Sequence, residues 1–183
     1  MVLSNKTNMG IQARVYWACS EAIGQNPLKR GKEAGMIAFR DVKEIVKITV
    51  RWERKLKDFY DVAEIAVRRE ESKQTVSMLK ARLLEKLEIL EGIDLGAFGN
   101  TEWIRYLPDV KEDELIPVAG IRRDSAPDEV FEHLLTYEEK LKNVYSTVSE
   151  NLISRNQKEL FESLALFKEE QIQEIRRLMA AAG

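Results

Sequence analysis

Apolar residues return at helical intervals in four stretches of this chain. Residues 35–69 run without an internal Gly or Pro, and Val42, Ile45, Val46, Thr49, Leu56, Tyr60 and Ala63 fall on one side at about 100° per residue. A short turn at Glu70–Ser72 leads to a second predicted helix, residues 72–91, with the stripe Val76, Leu79, Leu83, Leu87 and Leu90 and a stop at Gly92. Ser125-Ala126-Pro127-Asp128 supplies a hydroxyl cap, a proline for the first turn and an acid for the positive end of the dipole. It opens a third helix, residues 126–152, with Phe131, Leu134, Leu141, Tyr145 and Val148 on one face. Ser154-Arg155-Asn156-Gln157 has the spacing of a capping box and opens a fourth, residues 155–181, carrying Leu160, Leu164, Ile175 and Leu178.

The pattern is stated twice. Trp52-Glu53-Arg54-Lys55-Leu56-Lys57-Asp58-Phe59-Tyr60 returns 85 residues later as Tyr137-Glu138-Glu139-Lys140-Leu141-Lys142-Asn143-Val144-Tyr145. At the same offset Leu79, Leu87 and Leu90 answer to Leu164, Ile172 and Ile175. A repeat of this length implies two similar helical hairpins packed together, an all-α four-helix bundle. Residues 93–125, with three Gly or Pro breaks before Pro117 and Gly120, form the long crossover between them. Residues 1–34 stand apart as an N-terminal arm with a short helix at 11–23 and the breaker Gly24-Gln25-Asn26-Pro27. Residues 35–183 are the bundle.

Three polar side chains sit where the apolar stripes require hydrophobes. With Glu53 at zero on its wheel, Val46 lies at about +20°, Val42 and Tyr60 at about −20° and Thr49 at about −40°. Glu138 repeats this, with Phe131 at about +20°, Tyr145 at about −20° and Leu134 at about −40°. Lys168 is flanked by Ile175 at about −20° and Phe161 and Met179 at about +20°. A buried carboxylate must be paired, bind a metal or hold a proton, and a buried lysine asks for an anion.

Composition narrows the function classes. The chain is 44% apolar and 33% charged with nine Gly and four Pro, which suits a soluble helical domain. A net charge of −2 with the signs interspersed gives no footprint for nucleic acid. The single cysteine, Cys19, forms neither an internal disulfide nor a Cys-rich metal site. No apolar run reaches the roughly 18–20 residues that cross a bilayer, and no signal-peptide pattern is present, so the expected location is the cytoplasm, away from membranes. Gly-rich phosphate loops and nucleophile elbows are absent from the sequence.

The Glu-x5-[Phe/Val]-Tyr spacing of the first and third helices, the repeated hairpins and the long crossover resemble the ferritin-like superfamily, nearest its rubrerythrin-type branch. The resemblance covers roughly residues 38–180 by the helix periodicities. It implies that Glu53 and Glu138 match the two single glutamates that this family gives to a pair of irons. The family's Glu-x-x-His sets fall on Leu83 and Lys86 in the second helix and on Lys168 and Gln171 in the fourth, so those four ligands are missing. Glu85 and Glu170 point away from the stripes, and His133, the one histidine, matches no ligand place. The four cysteines of a rubredoxin-like module are also absent.

The expectation is a ferritin-like protein that has lost its diiron site. Lys168, with Lys86, would neutralise Glu53 and Glu138 without a cofactor, and Gln171 and a tyrosine hydroxyl would complete the buried cluster. Such a protein would be a non-catalytic structural or interaction module. It would form a homodimer, with Trp17, Phe98 and Trp103 as candidates for the apolar surface. The alternative is a rubrerythrin-like oxidoreductase that holds iron or manganese on Glu53, Glu138 and atypical ligands. A third possibility makes Lys168 a nucleophile in a buried pocket.

Overall fold

The computed structural model describes residues 40–98, 103–104 and 125–182, all within the compact unit Ala34–Gly183. The expected arm and most of the expected crossover lie outside the described residues, Cys19 and Trp17 with them. Four helices pack against one another: α1, Val42–Ala66; α2, Glu70–Glu91; α3, Pro127–Glu150; and α4, Arg155–Ala182. The residues 67–69 and 151–154 close two tight hairpins.

Helix ends follow local chemistry, and several differ from the sequence pattern. α1 begins at Val42, not near residue 35, because Asp41 caps it in an extended conformation and accepts from the Glu44 N–H at 2.8 Å. Arg40–Asp41 (β1) also pairs antiparallel with Trp103–Ile104 (β2), Arg40 opposite Ile104 and Asp41 opposite Trp103. The connection after α2 thus returns to clip the start of α1, with Ile104 buried and Trp103 exposed. α2 starts at Glu70 with Glu70 and Glu71 at the positive end of its dipole, so the turn precedes those residues. Gly92 ends α2 with right-handed angles, its N–H donating to Glu88, so no glycine-specific conformation is used there. At α3 the cap residue is Ala126, not Ser125, and Pro127 fills the first turn.

The repeat extends into the packing. Val76, Leu79, Leu83, Leu87 and Leu90 are buried on α2, and their equivalents Phe161, Leu164, Lys168, Ile172 and Ile175 are buried on α4. The buried pairs Trp52 and Tyr137, Leu56 and Leu141, Tyr60 and Tyr145, and Ala63 and Val148 relate α1 to α3 in the same way. Even a surface ion pair is repeated with its charges exchanged. Arg54 reaches Glu91 at 2.8 Å in the first hairpin, and at the equivalent places Glu139 receives Arg176 at 2.7 Å in the second.

Cross-bundle contacts fix the directions. Tyr60 meets Glu138 while Tyr145 meets Glu53, so α1 and α3 run antiparallel. With two hairpins, α2 and α3 then run parallel. The core is one continuous cluster drawn from all four helices, with Phe59 and Tyr137 packed edge to face at 4.8 Å.

Candidate functional site

Halfway along the bundle the apolar core is interrupted by charge. Glu53 on α1, Glu138 on α3 and Lys168 on α4 are 1%, 0% and 0% exposed. Lys168 Nζ donates to Glu53 Oε2 at 2.6 Å and lies 3.1 Å from Glu138 Oε2, within ion-pair range but without the angles of a hydrogen bond. The remaining carboxylate oxygens face tyrosines. Tyr60 donates to Glu138 Oε1 at 2.7 Å, and Tyr145 donates to Glu53 Oε1 at 2.5 Å.

The two tyrosine–glutamate bonds are the same bond made twice. On each helix Glu and Tyr are seven residues apart, hence on one face, and antiparallel packing sets the Tyr of each opposite the Glu of the other. One tyrosine was expected; there are two. The missed signal was the spacing itself, because it predicts a reciprocal exchange once the helices are taken as antiparallel. Lys168 breaks the symmetry, since its equivalent on α2 is the buried Leu83.

Gln171 and Lys86 do not join the charges as expected. Gln171 is buried, but its Nε2 donates to the Leu79 carbonyl at 3.1 Å, tying α4 to the α2 backbone, and its Oε1 has no partner among the described residues. Lys86 is half-buried and places its Nζ 5.4 Å from the centre of the Phe167 ring, with no ion pair among the described residues. Phe167 also takes Lys168 Nζ at 5.1 Å, so both ammonium groups lie near one ring. Glu85 and Glu170 are exposed, and His133 is half-buried on α3.

The electrostatics are those of two acids and one base in a dry core. Burial raises the Glu138 carboxyl above its ordinary value, with the Glu53 charge adding to it and Lys168 opposing. Burial alone would lower Lys168, but the two glutamates outweigh it and hold the group charged. Burial and the neighbouring carboxylates push Tyr60 and Tyr145 well above the usual phenol range, so both remain donors.

This donor set does not suit a transition-metal pair. The space between the two carboxylates holds an ammonium, the equivalent position on α2 is a buried leucine, and the buried amide of Gln171 is spent on a backbone carbonyl. Among the described residues no group of three or more His, Cys, Asp or Glu side chains could hold a metal ion. Such a centre needs more anionic or imidazole ligands than remain here. As a nucleophile, Lys168 is opposed by both carboxylates, which stabilise its unreactive charged form. Of the residues considered for a partner surface, Trp103 is 66% exposed and Phe98 half-buried. Among the described residues no helix is long and apolar enough to cross a membrane.

No protein-family model, curated protein or solved structure matches the chain.

Proposed function

We propose that this chain is a ferritin-like bundle in which the ammonium of Lys168 does the work of a metal pair, leaving a non-catalytic structural or interaction module. One observation carries the reading. A single cationic side chain sits between two glutamates that are related by the internal repeat, at 2.6 and 3.1 Å. In a carboxylate-bridged centre the metal cancels the repulsion of its ligands; here a tethered cation cancels it and brings no open coordination position with it.

The cluster then serves the fold. An ion group in this environment contributes little net stability over a hydrophobic replacement, but it fixes which faces meet. Glu53, Glu138 and their tyrosines can be satisfied only if α1 and α3 pack antiparallel in one register, and Lys168 adds α4 to that constraint.

Metal analysis of protein expressed in iron- and manganese-supplemented medium and purified without chelator tests this. The expected content is far below one metal per chain. A companion variant carrying Leu83→Glu, Lys86→His, Lys168→Glu and Gln171→His is expected to acquire metal. Stoichiometric iron or manganese in the parent would instead establish an oxidoreductase-type centre on Glu53 and Glu138 and end this reading.

A further inference from the structure

Each hairpin of this bundle is closed by its own surface charges. Arg54–Glu91 at 2.8 Å and Lys80–Asp61 at 3.2 Å join α1 to α2, while Lys142–Glu169 at 2.5 Å and Arg176–Glu139 at 2.7 Å join α3 to α4. The bonds that cross from one hairpin to the other are buried: Tyr60 to Glu138, Tyr145 to Glu53, Lys168 to Glu53 and Gln171 to the Leu79 carbonyl. β2 is paired with β1 and stays with the first hairpin, which leaves residues 105–124 to join the two. We propose that this seam is also the interface between two copies of the chain, the α1–α2 hairpin of each packing on the α3–α4 hairpin of the other. Every cluster is then built from two chains, with Glu53 from one copy and Glu138 and Lys168 from the second. The inference rests on the reading of Lys168 as the counter-charge of both glutamates.

The seam itself is indifferent to which chain supplies the second hairpin. Its two tyrosine–glutamate bonds are reciprocal, and an exchanged pair makes the same contacts as the closed chain. Exchange of an identical element is a low-cost route to a dimer for this reason. Only the tether distinguishes the two forms. Within one chain it presents the second hairpin at an effective concentration on the order of mM. The closed chain therefore prevails in dilute solution, and the exchanged pair grows as the protein concentration during folding approaches that value.

Lys168 decides which hairpins meet. The repeat makes the two alike, so packing of like on like has to be excluded. Two first hairpins would bring together two copies of Glu53 and, at the place equivalent to Lys168, two copies of Leu83. Both carboxylates would then lie in the core without an ammonium, which is strongly disfavoured. Two second hairpins would hold two lysines for two glutamates, and so take the cation that the other bundle lacks. Only the unlike pairing gives every bundle one lysine, whether it forms within a chain or between chains.

Refolding the purified full chain at different concentrations tests this. Samples are refolded from denaturant at about 1 µM and about 1 mM, diluted to one common concentration, and sized by chromatography with light scattering. The dilute sample is expected to be monomeric, and the dimer fraction of the concentrated sample at least tenfold higher. Monomer from both overturns the proposal, as does a dimer that falls apart on dilution without unfolding. A specific-protease site inserted between Lys111 and Glu112, in a chain with the helical content of the parent, reads the topology. Cutting an exchanged dimer should release bundles of monomer mass, each holding one N-terminal and one C-terminal piece by native mass spectrometry. A cut dimer that keeps its dimer mass is joined through outer surfaces and refutes the exchange. Bundles of two like pieces refute the selection by Lys168. Monomer without metal removes only the exchange, whereas stoichiometric iron or manganese removes the reading beneath it.

Discussion

Replacing Lys168 by methionine keeps most of the side-chain volume and deletes the charge. In the parent, its ammonium is within 2.6 and 3.1 Å of two carboxylates that, among the described residues, also accept from tyrosine hydroxyls. Without it both acids remain in the core with no counter-charge, a change that costs about 3–5 kcal/mol in buried ion groups. For a domain of this size each kcal/mol moves the melting temperature by about 2–4 °C, so the expected fall is about 6–20 °C at neutral pH. Denaturant unfolding followed by circular dichroism measures the change. Acid should rescue the variant. Burial raises the Glu138 carboxyl in the folded state and Lys168 opposes that rise, so with the lysine gone the rise is unopposed; a raised acid contributes stability below its unfolded value and loses it as pH rises. Adding Glu53→Gln and Glu138→Gln to the same chain should recover most of the loss, because the buried charges are then gone on both sides. A Lys168→Met chain as stable as the parent at neutral pH would refute the reasoning.

Three further outcomes are expected. Tyr60→Phe and Tyr145→Phe each remove a hydrogen bond to a buried carboxylate and should each cost about 1.5–3 kcal/mol in denaturant unfolding; a negligible cost for either would contradict the reciprocal geometry. The folded state raises both Glu138, through burial and then Glu53, and Lys168, whose glutamates outweigh burial. Raised groups stabilise below their unfolded values, so stability should decline as pH rises through the raised Glu138 value and again above the ordinary lysine range, and Glu138→Gln should flatten the first decline. Finally, Leu83→Lys combined with Lys168→Leu supplies the ammonium from the equivalent place on α2, and should be more stable than Lys168→Leu alone if the repeat is a true internal symmetry.

The pattern of the sequence carried a good part of this. Residues assigned to the four stripes, from Val42 to Ile175, lie in the core or at its edge because burial imposes helical periodicity directly. Glu53, Glu138 and Lys168 were legible for the complementary reason, as charges on apolar faces. Helix ends were less so. The start of α1 depends on Asp41 and on a two-residue strand pair with Trp103–Ile104, a contact between distant segments that no local pattern encodes. For Gln171 and Lys86 the repeat and the resemblance give a position equivalent to a metal ligand, but equivalence fixes a position and not a partner. The Leu79 carbonyl and the Phe167 ring were nearer to them than the charges. Tyr60 and Tyr145 could have been paired from the seven-residue spacing alone, given the antiparallel direction of α1 and α3.

The most direct test is a crystal structure of the chelator-free protein, with anomalous data collected at the iron and manganese edges. The expected map shows light atoms continuous with the Lys168 side chain between Glu53 and Glu138, and no anomalous peak there. A metal peak bridging those carboxylates, or either glutamate turned out into solvent, would contradict the central claim.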